Sequence, residues 1–148
     1  MSLGTHEPAS GVTNRPWAAV SDRYQHVLVV EDAPVLRSII ARNLASRGCT
    51  VREAGSVAEA LALLRAETPD LLLLDINLPD RTGWDILREL AASDQHVPTV
   101  VLSAVRVSPE RLAEFRPLAY LPKPFLIEAL LRVLDNGAAN AAAETATS

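Results

Sequence analysis

The length and composition of the chain fit one ordinary globular domain with short additional ends, because 148 residues are 49% hydrophobic and 22% charged. A formal net charge of -4, without any basic run of five or more residues, argues against a nucleic-acid binder. A single cysteine, Cys49, has no partner for a disulfide and is interpreted as core filler, while the missing signal pattern and short apolar runs predict a cytoplasmic protein that does not cross a membrane.

Both ends of the chain are expected to lie outside the folded domain. Residues 1 to 25 mix Gly, Pro, Ser, Thr and Asn without periodicity, which predicts a flexible leader. Residues 136 to 148 are small and polar, which predicts a disordered, alanine-rich tail. The domain is therefore expected over residues 26 to 135, with no room after it for a DNA-binding output domain.

Five short apolar runs alternate with helix-period segments between these ends. This alternation is typical of βα units around a parallel sheet. The runs Val27 to Val30 and Leu71 to Leu74 are continuously apolar, which predicts central strands covered by helices on both faces. The predicted strands are His26 to Glu31, Thr50 to Ala54, Leu71 to Asp75, Pro98 to Ser103 and Ala119 to Leu121.

The segments between the predicted strands carry apolar residues at helical spacing. Ser56 with Glu59 predicts a capping box, and Ser108 followed by Pro109 predicts another helix start. The helices are expected between Pro34 and Arg47, over the periods that begin at Val57, Gly83 and Ile127, and within the charged segment Val105 to Pro117. This fourth helix has few apolar anchors, so we expect it to be short or mobile.

Polar residues gather where four of the five predicted strands end. Glu31 and Asp32 follow the first strand, Asp75 ends the third, Ser103 ends the fourth and Lys123 follows the fifth. In a doubly wound sheet with right-handed crossovers and strand order 2-1-3-4-5, these strand ends are neighbours at the switch point where ligands bind. The second strand ends at Glu53-Ala54-Gly55 and is expected to contribute nothing obvious.

Three carboxylates at one sheet edge predict a bound cation, because Glu31, Asp32 and Asp75 would otherwise repel one another. Oxygen ligands without nearby His or Cys favour Mg²⁺, with Mn²⁺ as the alternative, over zinc. Toward a phosphoryl group Asp75 is the candidate nucleophile, since positioning and charge stabilisation by the metal and the Lys123 ammonium would lower the barrier. The Ser103 hydroxyl could donate to a phosphoryl oxygen.

Each of these residues also has an ordinary structural interpretation. A carboxylate at a strand end is commonly a loop or helix cap, and Ser103 alone is more simply an ordinary strand-end hydroxyl. Lys123 could be a solvated surface charge, although its flanking prolines fix its backbone more tightly than a surface charge requires. The coincidence of four such positions on one sheet edge favours the functional interpretation.

Four sequence fragments together resemble the receiver domain of two-component response regulators, over about residues 26 to 135. The fragments are Val29-Val30-Glu31-Asp32, Leu74-Asp75-Ile76-Asn77-Leu78-Pro79-Asp80 with Gly83, Leu102-Ser103-Ala104, and Tyr120-Leu121-Pro122-Lys123-Pro124-Phe125. The resemblance implies an α/β fold of the flavodoxin-like (CheY-like) type, a three-layer sandwich around a doubly wound five-stranded parallel sheet.

The resemblance also implies a role for each matching residue. Asp75 would be the phosphoacceptor and a metal ligand, Asp32 a direct ligand, Glu31 a ligand acting through water, and Asn77 a ligand through its backbone carbonyl. Ser103 and Tyr120 would form the switch pair, with a half-buried strand aromatic as the plain alternative for Tyr120. Lys123 would contact the phosphoryl group, and its bond to Pro124 would be cis.

Partners follow from the same resemblance. The chain would be a signalling domain, not an enzyme, which catalyses only its own phosphotransfer and autodephosphorylation. Asp75 would receive its phosphoryl group from a sensor histidine kinase or a histidine phosphotransfer protein. The surface of the fourth helix, fifth strand and fifth helix would then change for an unknown downstream protein, with no nucleic acid or membrane bound, in a monomer or a phosphorylation-dependent dimer.

Three other functions compete with this one. A pseudo-receiver would keep the fold as an interaction module without phosphorylation. A haloacid-dehalogenase-type phosphatase would need a second aspartate at position 77, where the chain has Asn77. A flavodoxin-like cofactor binder would offer hydroxyls and glycines to a phosphate in its first loop, where Glu31 and Asp32 would repel it.

Two apolar residues lie near the predicted site in the sequence. Val105 follows Ser103 by two positions, and we expect it to hinder water and to slow dephosphorylation. Trp84 follows Gly83 and is interpreted as a packing or surface aromatic instead of a switch element.

Overall fold

The computed structural model describes residues 23–136, which form a five-stranded parallel sheet of order β2-β1-β3-β4-β5 with helices on both faces. The strands are β1 (His26–Val30), β2 (Thr50–Ala54), β3 (Leu71–Asp75), β4 (Thr99–Ser103) and β5 (Ala119–Pro122). The helices are α1 (Pro34–Ala45), α2 (Val57–Ala66), α3 (Trp84–Ala92), α4 (Pro109–Phe115) and α5 (Ile127–Asn136). The predicted α/β architecture and strand order are confirmed.

The two central strands send alternate side chains into two separate cores. Residues Val27 and Leu71 pair in register and enter the core that α1 and α5 close with Ile40 and Leu130. The neighbouring pair, Leu28 and Leu72, enters the opposite core, which α2 and α3 close. Because both faces are covered, these strands are apolar at every position instead of alternating.

The start of β1 is tied to the residue before β3. The Asp70 carboxylate accepts the backbone N–H groups of Gln25 and His26 at 3.0 and 2.9 Å, and the Gln25 carbonyl accepts the Thr50 N–H at 2.7 Å. The predicted leader lies outside the described residues except for residues 23 to 25. The predicted tail does so except for Asn136, which ends α5.

β5 ends at Pro122, one residue beyond the predicted Leu121, and three other boundaries also differ from the predicted ones by one residue. β1 ends at Val30, although the Glu31 N–H still bonds to the Ala54 carbonyl at 3.0 Å. β4 begins after Pro98, which has no N–H to donate to a neighbouring strand. Gly83 caps α3 from outside the helix, and Trp84 is its first residue.

Side-chain caps start α2 and α4 where the sequence predicted them. Ser56 accepts the Glu59 N–H at 3.1 Å, while the Glu59 carboxylate reaches back to the Gly55 N–H at 2.7 Å. Ser108 accepts the Arg111 N–H at 3.2 Å. The fourth helix is short, with seven residues and no fully buried side chain. No helix among residues 23–136 is long and apolar enough to traverse a lipid bilayer.

Candidate acidic site at the carboxyl edge of the sheet

Three carboxylates meet where β1 and β3 end. Glu31, Asp32 and Asp75 each offer an oxygen, and these oxygens all lie within 4.8 Å of one another. Glu31 and Asp75 are 0% and 2% exposed, whereas Asp32 is open to solvent. The strands place them together because parallel neighbours end at the same edge of a sheet. The site is thus enclosed on the sheet side and accessible beside Asp32.

The Lys123 ammonium group lies between the two buried carboxylates. Its Nζ donates a hydrogen bond to Asp75 Oδ2 at 3.2 Å and forms an ion pair with Glu31 Oε1 at 2.7 Å. The Lys123 N–H bonds to the Ser103 carbonyl at 2.8 Å, and the Lys123–Pro124 peptide bond is cis, as the resemblance implied. The end of β5 therefore brings the ammonium to the acidic edge.

Burial and charge act in opposite directions on the site. Desolvation raises the pKa of Glu31 above its usual value, although the Lys123 ammonium and the Ala33 N–H favour its charged form. Burial alone would lower the pKa of Lys123, but its contacts with Glu31 and Asp75 outweigh desolvation and raise it. Lys123 therefore stays protonated as the counter-charge of the carboxylates.

Backbone N–H groups hold both buried carboxylates in place. Glu31 Oε2 accepts the Ala33 N–H at 3.1 Å, and Asp75 Oδ1 accepts the Asn77 N–H at 3.1 Å. The following loop packs tightly on Asp75, because a Cβ at Gly83 would lie only 2.6 Å from the Asp75 carbonyl oxygen. These contacts fix the orientation of the two carboxylates before any ligand arrives.

Ser103 and Tyr120 both contact one backbone carbonyl beside the acidic edge. The Ser103 hydroxyl donates to the Val105 carbonyl at 2.6 Å and accepts the Val105 N–H at 3.0 Å. The Tyr120 hydroxyl lies 3.5 Å from the same carbonyl oxygen. Since Asp75 pairs with Leu102 across β3 and β4, Ser103 lies one residue beyond the level of Asp75.

Two aromatic rings connect α3 to α4 next to this loop. Trp84 is buried and stacks on Phe115 with ring centroids 5.0 Å apart and planes 12° apart. The Arg88 guanidinium carbon lies 5.5 Å from the centroid of the Phe115 ring. Trp84 is thus a packing residue, as expected.

Sequence reasoning missed two residues that support the site from a distance. Arg37 Nη1 donates to the Glu31 carbonyl at 2.8 Å, and its Nε lies 3.3 Å from Glu53 Oε1 on β2. As expected, the end of β2 contributes no carboxylate to the cluster, and Glu53 is connected to it only through Arg37. Asp80 accepts the N–H groups of Val57 and Ala58 at the start of α2. No sequence pattern pointed to these contacts, because each joins elements that meet only when the fold packs.

The donor set at this edge fits a hard divalent cation. The cluster consists of three carboxylates and contains no His or Cys. One of the three faces solvent, and their oxygens lie close enough together to bind one ion. Burial and mutual repulsion both disfavour the charged form of these carboxylates. A bound divalent cation would offset both effects. The geometry thus supports a cation site that is open to solvent beside Asp32.

Comparisons with known proteins agree with the fold. A family model described as the response regulator receiver domain matches residues 27–135. The response regulator MprA of Mycobacterium ulcerans is 37% identical over 107 residues, 71% of this chain and 46% of the relative. The probable transcriptional regulatory protein TcrX of Mycobacterium tuberculosis is 36% identical over 104 residues, 69% and 44% of the two chains.

Solved structures are similar as well. The non-phosphorylated HemR receiver domain of Leptospira biflexa matches with a TM-score of 0.70 and 30% identity, over 76% of this chain and 92% of that one. A Burkholderia pseudomallei response regulator with a phosphorylated aspartic acid, a calcium ion and citrate matches with a TM-score of 0.70 and 28% identity. The match covers 83% of this chain and 74% of that one.

The family model covers most of the chain, whereas the chain spans less than half the length of the curated relatives named above. The matched residues include the acidic pair, Asp75, Ser103 and Lys123. The chain belongs to the family of response regulator receiver domains, the signalling domains of two-component systems.

Proposed function

We propose that Asp75 is the phosphoacceptor of this receiver and that the chain works as a phosphorylation switch. The observation that carries the proposal is the position of the Asp75 carboxylate, within one cluster of acidic oxygens and 3.2 Å from the Lys123 ammonium. The phosphorylated aspartic acid of the Burkholderia relative supports the same chemistry. The phosphoryl donor would be a sensor histidine kinase or a histidine phosphotransfer protein.

The site would hold Mg²⁺ through Asp32 and Asp75, with Glu31 acting through water and Asn77 through its backbone carbonyl. A bound divalent ion supplies charge neutralisation to the incoming phosphoryl group. An Asp75 oxygen forms the new P–O bond while the P–N bond of the donor phosphohistidine breaks. The Lys123 ammonium, which contacts Asp75, would stabilise the negative charge on the transferred group.

Ser103 and Tyr120 would carry the signal away from Asp75. The Ser103 hydroxyl turns from the Val105 carbonyl toward a phosphoryl oxygen, and the half-buried Tyr120 ring turns with it. This shift in population would change the surface of α4, β5 and α5. Output would then pass through docking of a downstream protein, without contact between these residues and nucleic acid.

The test is covalent phosphorylation measured by intact mass. Incubation with Mg²⁺ and acetyl phosphate should add one phosphoryl group to the wild-type chain and none to Asp75→Asn. Asp94→Asn is the matched control, because Asp94 is exposed in a turn at positive φ, which asparagine also tolerates. A pseudo-receiver would show no adduct at all, and a phosphatase would release many equivalents of phosphate, so either result would refute the proposal.

A further inference from the structure

We propose that Arg37 is a positioning residue of the acidic site, which fastens the backbone at Glu31 to the edge strand β2 and thereby sets the affinity for the divalent cation. The inference rests on the proposed function, since it concerns the same cation site. It assigns work to Arg37 and Glu53, neither of which lies in the carboxylate cluster.

One guanidinium group bridges two strands. Its Nη1 donates to the Glu31 carbonyl, just beyond β1, at 2.8 Å, and its Nε lies 3.3 Å from the Glu53 carboxylate on β2. The planar fork of an arginine presents these two donors in a fixed relation, which a lysine cannot reproduce. Arg37 itself extends from α1, so three elements meet at one side chain.

The chain keeps space open for this bridge at the end of β2. A Cβ at Gly55 would lie 2.8 Å from Arg37 Nη1, closer than ordinary contact allows. The missing side chain at Gly55 thus leaves room for the guanidinium beside the Glu31 carbonyl. The Gly55 N–H is used separately by Glu59, which holds this turn in place.

The contact with the Glu31 carbonyl matters because that oxygen belongs to the same rigid peptide unit as the Asp32 N–H. Fixing the plane of this unit holds the Asp32 Cα in place and so restricts the positions that the Asp32 carboxylate can reach. The Glu31 N–H is already bonded to Ala54, so Arg37 fixes the other side of the residue. The exposed ligand Asp32 is therefore oriented by a hydrogen bond made one residue before it.

Charge and position predict opposite effects when Arg37 is changed. Arg37 brings a positive charge to an acidic edge, so Coulomb repulsion alone would make an uncharged variant bind cations more tightly. Loss of the bridge would instead weaken binding. Arg37→Lys keeps the charge and removes the fork, so any change that it causes reports on position.

The experiment is a Mn²⁺ titration of the full chain followed by electron paramagnetic resonance. We expect Arg37→Lys to weaken Mn²⁺ binding about tenfold, the usual cost of losing a residue that orients a metal ligand. The control is Arg42→Lys, an exposed arginine in the last turn of the same helix, which should leave the affinity unchanged. The double variant Arg37→Lys with Glu53→Gln should lose less Mn²⁺ affinity than the product of the two single fold-losses, because both changes break the same bridge.

Two further readouts separate positioning from general destabilisation. In the metal-free protein, Arg37→Lys should speed hydrogen exchange at the hydrogen-bonded N–H groups of Glu31 and Ala33 while exchange within β3 is unchanged. In phosphorylation by acetyl phosphate, the Mg²⁺ concentration for half-maximal rate should rise, and the rate at saturating Mg²⁺ should stay within about twofold of the wild type.

Each outcome decides a different statement. A wild-type chain that binds no Mn²⁺ would refute the proposed cation site itself. A wild-type chain that binds Mn²⁺, together with Arg37→Lys that binds it equally well, would overturn the positioning role alone. If urea titration shows that Arg37→Lys does not fold, Glu53→Gln decides, because unchanged exchange at the Glu31 and Ala33 N–H groups in that variant would also overturn the role.

Discussion

The Asp80 carboxylate accepts the Val57 N–H at 2.9 Å, and this hydrogen bond fastens the loop after β3 to the first turn of α2. Its second oxygen accepts the Ala58 N–H at 3.0 Å. The same loop contains Asn77, whose N–H orients the Asp75 carboxylate. Helix α2 holds no site residue, but it supports the loop beside the acidic cluster through Asp80. The contribution of this contact to stability should depend on pH.

Asp80 should stabilise the fold only while it is charged. The hydrogen bonds from Val57 and Ala58 hold the pKa of Asp80 below its usual value. A carboxyl group with a lowered folded-state pKa contributes stability above its unfolded pKa of about 3.9 and loses that contribution as the pH falls through the folded value. Urea midpoints of the wild type and Asp80→Asn should therefore differ at pH 7 and converge below the folded pKa.

The control for Asp80 is Asp94→Asn, which removes an exposed aspartate from the turn after α3. It should change the urea midpoint little at either pH. Equal midpoints for the wild type and Asp80→Asn across the whole pH range would show that the cap contributes nothing.

Lys123 is the only lysine in a sequence that has 13 arginines, so its ammonium can be tested without background. Lys123→Met should lower the free energy of unfolding of the metal-free protein at pH 7 by about 3 kcal/mol, because it leaves two buried carboxylates without a counter-charge. Mg²⁺ should recover much of this loss by supplying positive charge. Chemical unfolding with and without Mg²⁺ measures both effects.

Acidic pH provides the check on this explanation for Lys123. Protonation of Glu31, whose pKa is raised by burial, should shrink the difference between the wild type and Lys123→Met. A deficit that stays constant from pH 7 to pH 4, or that Mg²⁺ leaves untouched, would mean that packing and not charge explains the loss.

The stack of Trp84 on Phe115 should hold α4 against α3. Because α4 has no fully buried side chain, Phe115→Leu should loosen the helix. The free energy of unfolding should fall by about 1 kcal/mol more than the loss of buried apolar area alone would predict. A Trp17→Phe background leaves Trp84 as the only indole, and its emission should move to longer wavelength as water reaches it. Glu110→Gln is the control, because it changes an exposed residue of α4 outside the apolar cluster. Emission spectra that are identical in the wild-type and Phe115→Leu chains would contradict the prediction.

Val105 should slow the loss of phosphate from Asp75. Its apolar side chain is 59% exposed and lies two residues after Ser103. Val105→Glu should shorten the lifetime of the phosphorylated chain about three- to tenfold, below the roughly 100-fold expected of a well-positioned general base. Val105→Gln adds polarity without a base and should have a smaller effect. Equal lifetimes for all three chains, followed by intact mass, would exclude a role for this position.

The strands were predictable from the sequence because their apolar character is local and continuous. The runs around Leu28 and Leu72 predicted covered strands, and the strand order 2-1-3-4-5 expected of the doubly wound sheet brings Glu31, Asp75 and Lys123 to one edge. These residues were found because strand ends are visible in a sequence, and the structure does bring them together.

The supporting residues were not predictable by the same reasoning. Arg37 and Glu53 belong to a helix and a strand whose mutual rotation no sequence pattern gives. Asp80 caps a helix that begins 23 residues earlier in the chain, so its partner is distant in sequence. Contacts of this kind depend on how elements pack, and a single sequence contains no record of that packing.

The leucines of β3 have a consequence for how the chain finds its correct alignment. Four identical residues would look equally apolar after a slip by one position, so the pattern of Leu71 to Leu74 cannot tell the two alignments apart. The charged residues at the two ends of the run distinguish these alignments. Asp70 accepts the His26 N–H at the start of β1, and Asp75 accepts a hydrogen bond from the Lys123 ammonium. Asp75, the proposed phosphoacceptor, is therefore also one of the two charged residues that fix the alignment of β3 in the sheet.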